Sequence, residues 1–486
     1  MELIHTAEFS GLHRKPARTS LKSICRVALL ATAAALCAAT IAQAQTVTTI
    51  YNFADNGASG ANPYYVTLVQ GTNGNLYGTT YNGGKHLFGT VFNMTVTGSQ
   101  KLIYSFTNAA TDAAYPTGGL TLGNDGNFYG TTQQGGTKSM GTLFKITPTG
   151  TLTILHNFNA FIDGSFPWGP PILASDGNFY GTTSGGGGGG HGIVYKLTSA
   201  GVLSVIYRFD VVHGDSPIAP PTQGTDGFLY IPVSQGGAYF CGTIVQMSTS
   251  GVINNTYSFP CGSGGSFPIG PLVQASNGNF YSTTQNGGTV GEGTIYQVTP
   301  SLAVTVLHSF GATFGDGTFP GAGLLRATDD NYYGSTSDGG ASGDGTLFNT
   351  STTGTYASLY SFNNNSNLTQ TSPVAPPVQA TNGLLYGTTE FGGPGNDGTV
   401  YSLDMGLAPF VNMPLFSGKA GATVTILGNH LTGSREVSFN GTVAQFKVVS
   451  DTYLTATVPA GATSGPISVV TATGVLQSRN IFNVKH

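Results

Sequence analysis

The chain has 486 residues with 73 glycines, 17 Lys+Arg and 21 Asp+Glu, and a formal net charge of −4. Glycine is about twice its usual ~7% and charge about a third of its usual ~25%, yet 39% of residues are hydrophobic, which excludes charge-driven disorder. The glycines follow no three-residue period, which excludes collagen, and the clustered Lys and Arg that neutralise phosphates are missing, so nucleic acid is not an expected partner.

Residues 1–44 read as an export signal. Arg14, Lys15, Arg18, Lys22 and Arg26 form a basic lead, Val27 to Ile41 is apolar, and Ala42-Gln43-Ala44 supplies small residues for cleavage after Ala44. The competing reading is a membrane anchor, but that stretch falls short of the ~20 residues needed to span a bilayer. A lipoprotein site at Cys37 is disfavoured by the bulky Leu36 before it. Cleavage removes five basic and two acidic residues from 17 and 21, leaving 12 and 19 in a mildly acidic secreted or periplasmic protein with no further hydrophobic span.

A repeat then runs along most of the chain. Its tyrosine stands at Tyr77, Tyr129, Tyr180, Tyr230, Tyr281, Tyr333 and Tyr386, at intervals of 52, 51, 50, 51, 52 and 53 residues. In repeat two the pattern is Asn124-Asp125-Gly126-Asn127-Phe128-Tyr129-Gly130-Thr131-Thr132, Gly135-Gly136, Gly141-Thr142-Leu143-Phe144-Lys145-Ile146 and Leu152 to Phe158. Asp-Gly and Asn-Gly between apolar runs favour tight hairpin turns. Each unit therefore predicts four short antiparallel strands, in repeat two near 116–122, 127–133, 141–147 and 152–158. Large residues alternate on both faces of the fourth strand, so each sheet is expected to be covered on both sides.

The two ends of the repeat region complement each other. The seventh repeat stops after its third strand, near Asp404, while Thr46 to Phe53 carries the fourth-strand pattern ahead of the first repeat. This predicts an all-β fold, a seven-bladed β-propeller over residues 45–406 closed by the N-terminal strand. An open solenoid would leave that strand unexplained and call for polar capping repeats.

The Asp/Asn-Gly-Asn-Phe-Tyr-Gly-Thr-Thr, Gly-Gly and Gly-Thr unit resembles the GloVer-type tandem repeat of exported bacterial proteins, and its Gly-Gly is similar to that of kelch propellers. The resemblance implies a surface or secreted repeat protein and brings no catalytic residues. Repeat four departs from it with Tyr230-Ile231-Pro232-Val233, and repeat six with Asp329-Asp330-Asn331 where the turn glycine is expected.

From 407 to 486 the rhythm changes to alternating strands near 422–428, 437–441, 454–459, 465–470 and 482–484, the size of a small immunoglobulin-like β-sandwich. This stretch resembles the IPT/TIG family, whose modules are spacers or interaction domains, and no chemistry is expected from it.

Cys241 and Cys261 flank the third and fourth strands of blade four, equidistant from Gly251 at the hairpin tip, and predict a disulfide. On the propeller face bearing the loops from strand two to three and from strand four to the next blade, Asp55, Asp112, Asp163, Asp215 and Asp316 stand in the second loop set. Carboxylates there suit a structural cation such as calcium, or a polar saccharide. The competing reading, favoured by the lack of Asp in repeats five and seven, is that each organises a turn before the following Pro. His86, His191 and His213 lie in loops of the same face, within reach of Asp163 or Asp215, but show no metal-ligand spacing. His156 and His308 replace Tyr of other repeats and read as core substitutions. The run Gly185 to Gly190 lacks the Gly-Lys-Ser/Thr of a phosphate loop and reads as a lengthened loop.

The function expected is an exported, non-enzymatic, monomeric binding or surface-interaction scaffold whose partner is a polysaccharide or a surface protein. The alternative is a polysaccharide lyase or glycoside hydrolase with an Asp/His site on the propeller face. Metal and other cofactors are not otherwise expected.

Overall fold

The computed structural model describes residues 46–321, 323–363 and 370–485; the expected export signal and its cleavage site lie outside the described residues. Apart from a 3-10 turn at Gly262–Gly264, regular structure in the described residues is β-strand.

The seven repeats form seven antiparallel sheets of four or five strands. Repeat three shows the plan, with Ile172–Leu173, Phe179–Thr183, Ile193–Leu197 and Leu203–Arg208 side by side in chain order. The turn residue four before each repeat tyrosine explains the motif. Tyr129 donates its hydroxyl to Asp125 at 3.0 Å, Tyr180 to Asp176 at 2.8 Å and Tyr333 to Asp329 at 2.8 Å, so the Asp both makes the turn and satisfies a phenol. Repeat six keeps the turn without its glycine because Asp330 itself adopts φ 63°.

The first strand of repeat two is not the continuous 116–122 expected. It breaks into Ala113–Pro116 and Thr121–Leu122 around Gly118 and Gly119, whose φ values of 76° and 85° cannot continue a strand.

Repeat four departs from the pattern by exchanging volume across one pair of strands. Gly130 lies opposite Phe144, and a Cβ on Gly130 would come within 2.6 Å of that ring. In repeat four the same pair is Ile231 opposite Val245, a larger residue facing a smaller one. The Thr-Thr and Gly-Thr segments meet similarly: Thr80 with Thr90, Thr132 with Thr142, Thr284 with Thr294, Thr336 with Thr346 and Thr389 with Thr399 pair their buried hydroxyls at 2.7–2.9 Å.

Neighbouring sheets are joined by aromatic stacking, with ring centroids 4.1 Å apart for Tyr77–Phe128 and for Tyr129–Phe179, and 4.5 Å for Tyr281–Tyr332. Hydroxyls cross the same gaps: Thr131 donates to Gly169 O, Thr182 to Ala219 O, Thr283 to Gly321 O and Ser335 to Ala375 O. Thr388 of the seventh repeat makes the equivalent bond to Val66 O of the first, at 3.0 Å.

The N-terminal strand Val47–Asn52 pairs antiparallel with Thr399–Leu403, Val47 opposite Leu403 and Asn52 opposite Thr399. The phenylalanine after each fourth strand confirms the equivalence. Phe106, Phe158, Phe209, Phe259, Phe310 and Phe362 donate their backbone N–H to the carbonyl of the Gly that leads into the third strand of their repeat at 2.9–3.0 Å, and Phe53 does the same to Gly398.

Beyond Leu403, two sheets share one apolar core. One joins Thr423–Leu427, Tyr453–Thr457 and Phe446–Val448; the other joins Thr442–Val443, Glu436–Phe439, Ile467–Val470 and Val475–Gln477. They pack on the repeats. Thr452 donates to Thr72 O at 2.7 Å, Ser417 to Ser175 O at 3.1 Å, Phe410 N to Thr381 O at 3.2 Å, and the Arg479 guanidinium to Arg326 O. Thr72, Ser175 and Thr381 all sit in turns between first and second strands. The C-terminal sheets therefore cover the end of the repeats opposite the loops singled out above. No helix among the described residues is long and apolar enough to cross a membrane.

Candidate functional site

The loop aspartates turn inward. Asp112 accepts from Thr107 N at 2.9 Å and Thr107 Oγ1 at 2.6 Å, and the Tyr104 hydroxyl faces it from the fourth strand. Asp163 accepts from Asn159 N at 2.7 Å and from His156 Nε2 at 2.9 Å. Asp316 accepts from His308 Nε2 at 3.1 Å and from the Gly311 and Gly317 amides. Burial pushes the Asp316 carboxyl up, but the hydrogen bonds from His308 and from the Gly317 amide help to outweigh it and hold it below the usual aspartate value.

His156 and His308 are thus partly exposed partners of a loop carboxylate, where the sequence suggested core substitutions. Tyr104 fills the same role on the fourth strand of repeat one. In the first loop, Ser59 stands in the Asp position and accepts from Tyr51 at 3.0 Å.

Asp215 does not belong to this set. Counting back from the loop prolines, Pro167 and Pro217, it aligns with Ser165, and His213 occupies the position of Asp163. The backbone agrees, because Asp215 pairs with Gln235 as Ser165 pairs with Gly185 and Ser266 with Asn286. Its carboxylate meets His191 Nδ1 at 3.2 Å, linking two successive loops, while His213 turns to Asp210 at 2.8 Å. Asp55 is exposed, as is His86. Among the described residues no three His, Cys, Asp or Glu side chains converge to hold a metal ion. The glycine run takes up left-handed φ at Gly186, Gly187, Gly188 and Gly190 in the loop from strand two to three. Cys241 and Cys261 are joined, with Cα atoms 5.5 Å apart.

What the loop face brings together instead is aromatic. Tyr64 lies 4.7 Å from Tyr65, 5.7 Å from Tyr81 and 5.9 Å from Trp168 between ring centroids, Tyr65 lies 6.2 Å from Trp168, and Tyr81 lies 4.9 Å from Tyr115. All five side chains are half-buried. Tyr64 and Trp168 directly follow a loop proline, a position held by Thr117, Ile218, Ile269, Gly321 and Val374 in the other repeats. Tyr81 follows Thr-Thr, where the other repeats have Gln133, Ser184, Ser234, Gln285, Ser337 and Glu390. The patch breaks the sevenfold pattern, and that departure from the repeat was its signal in the sequence.

Glu390 is the second departure. It stands beside Tyr64 and Tyr65, and burial pushes its carboxyl up to about 7 from the usual 4.5. An acid raised in the folded state binds its proton more tightly folded than unfolded. The resulting penalty is absent below pH 4.5 and complete above about 7. We expect unfolding free energy to decline across that window and the Glu390→Gln variant to flatten the decline; denaturant titrations at several pH values would show it, and an unchanged slope would assign the decline elsewhere.

Tyr64, Tyr65 and Trp168 also stand at the mouth of a cavity of about 650 Å³ to which every repeat contributes. Its far end is formed by Asn412, Met413, Pro414, Phe416 and Leu427. The C-terminal module, expected as a spacer or an interaction domain, thus contributes to the lining of the cavity.

Comparison with known proteins adds the lineage. The family profile that matches is the Gloeobacter/Verrucomicrobia repeat, over residues 38–225 and 217–448. No curated protein matches the chain in sequence. Among solved structures, the extracellular domain of a protein assigned as a hybrid two-component system of B. thetaiotaomicron is similar, at 12% identity and TM-score 0.50 over 89% of this chain and 54% of that one. The chain thus spans about half the length of that structure. The periplasmic gluconolactonase of Pseudomonas aeruginosa is similar at 14% identity and TM-score 0.42, over 68% of this chain and 97% of that one. The likeness to the extracellular domain concerns the fold alone.

Proposed function

We propose that this chain, which belongs to the Gloeobacter/Verrucomicrobia repeat family, is an exported, non-enzymatic binding protein that holds a polysaccharide against its loop face. In this reading residues 1–44 are an export signal, 45–406 a seven-bladed propeller closed by the N-terminal strand, and 407–486 an IPT/TIG-like module. The pairing of Val47–Asn52 with Thr399–Leu403 and the seven matching Phe-to-Gly hydrogen bonds support closure.

The observation that carries the function is the aromatic patch of Tyr64, Tyr65, Tyr81, Tyr115 and Trp168 on one side of a face that is otherwise repetitive. Flat, partly exposed rings beside a carboxyl and side-chain amides suit a sugar chain, whose faces are apolar and whose edges are polar. Asp112, Asp163, Asp215 and Asp316 are each engaged by a neighbouring side chain, as are His156, His191, His213 and His308, which favours binding over catalysis.

A central tryptophan anchor is worth on the order of 2 kcal/mol, roughly thirtyfold in affinity. On a glycan array followed by titration of the polysaccharide retained, Trp168→Ala is expected to lose about that factor while keeping its melting temperature. Undiminished binding by the folded variant, or release of sugar fragments by the native protein, would overturn the reading.

A further inference from the structure

Behind the aromatic mouth the cavity changes character. Its walls are the short first strands of the repeats and the residues that lead into them, such as Val69, Leu122, Ile218, Ile269, Leu324 and Val378, and none of its lining residues is charged. Two glutamines of the wall are committed to neighbouring turns. Gln70 accepts from Thr381 N at 2.9 Å and donates to Gly74 O at 3.1 Å; Gln379 accepts from Thr328 N at 3.0 Å and donates to Thr328 Oγ1 at 2.9 Å.

An ion drawn into this space would lose water without meeting a countercharge, which disfavours it, while the aliphatic walls favour apolar surface. A volume of about 650 Å³ lies within the range of small-molecule pockets. Met413, Pro414, Phe416 and Leu427 line the end away from the loops, where the C-terminal module packs on the repeats. Met413 is 1% exposed and Leu427 3%, both held by the packing of the C-terminal module on the repeats.

We propose that this pocket is a binding site for a neutral, mostly apolar small molecule that enters past Tyr64, Tyr65 and Trp168 and stops against Met413 and Leu427. The site is separate from the polysaccharide reading although it shares its doorway, so the test uses wall residues outside the aromatic patch. The full-length mature protein is titrated with the neutral fluorophore N-phenyl-1-naphthylamine and, in parallel, with the anionic 8-anilino-1-naphthalenesulfonate.

The expected result is saturable one-to-one binding of the neutral probe and at least tenfold weaker binding of the anion. Ile218→Trp narrows the cavity and Thr121→Lys puts a charge in its wall; both residues are half-buried, so the fold should tolerate either change. Each variant is expected to weaken the neutral probe at least tenfold with its melting temperature held, and Ile218→Val to bind as the native protein does. Absence of saturable binding, equal affinity for both probes, or full affinity in the two folded wall variants would overturn the proposal. If polysaccharide binding fails while the neutral probe binds as described, the outer reading falls and this one stands.

Discussion

Phe53→Ala is expected to destabilise the protein by about 3–5 kcal/mol, the cost of removing a fully buried aromatic side chain. The residue is 1% exposed and its ring lies 5.2 Å from Phe92 of the first repeat. It shares one apolar cluster with Val66, Leu68, Tyr386 and Val400, so a residue preceding the repeats fastens the first sheet to the seventh. Its backbone N–H bonds to Gly398 O at 2.9 Å. Chemical denaturation of Phe53→Ala beside Phe209→Ala, its counterpart in the third repeat, gives the comparison. Similar losses are expected; a loss under about 1 kcal/mol for Phe53 alone would show the N-terminal strand to be dispensable.

The second large effect is at the disulfide. Cys241 and Cys261 are 20 residues apart in sequence, and a closed loop of that size restricts the unfolded chain by about 3 kcal/mol in the chain-entropy account. Cys241→Ser with Cys261→Ser should lower stability by about that amount, and the native protein should match the double variant under reducing conditions. The bridge ties the loop between strands two and three of repeat four to the loop leaving its fourth strand. Mass spectrometry of unreduced peptides checks the bond itself: two free thiols would remove both the bond and the predicted loss.

The repeat architecture could be read from the sequence because its determinants are local. Asp125-Gly126 dictates a turn, Tyr129 finds its acceptor four residues earlier, and Thr132 meets Thr142 across one hairpin, all within one unit. The N-terminal partner of the seventh repeat was legible for the same reason, since Thr46 to Phe53 carries a whole strand pattern.

Registers that depend on loop length were not legible. Asp215 looks equivalent to Asp163, but the fourth repeat's loop places it two positions later, and His213 takes the slot that the count assigned to an aspartate. The aromatic patch was missed because Tyr64 and Trp168 lie 104 residues apart and converge only once three sheets are side by side. Glu390 was visible as one of three glutamates after residue 44, but nothing local tells that its carboxyl is buried beside Tyr64. The role of Met413 and Leu427 depends on how the C-terminal module is docked, which no strand pattern encodes.

The pairing of Val47–Asn52 with Thr399–Leu403 also sets an order of events. The first strand of the described protein must wait for a partner some 350 residues later, so during synthesis it has no native neighbour while the repeats behind it can already form hairpins. Bringing together segments so far apart carries a loop-closure entropy that local turns escape. Assembly is therefore a late, slow step. Until it happens, the strand edge at Thr399–Leu403 is an unpaired template on which a second chain can settle, and dilution during refolding should favour the monomer.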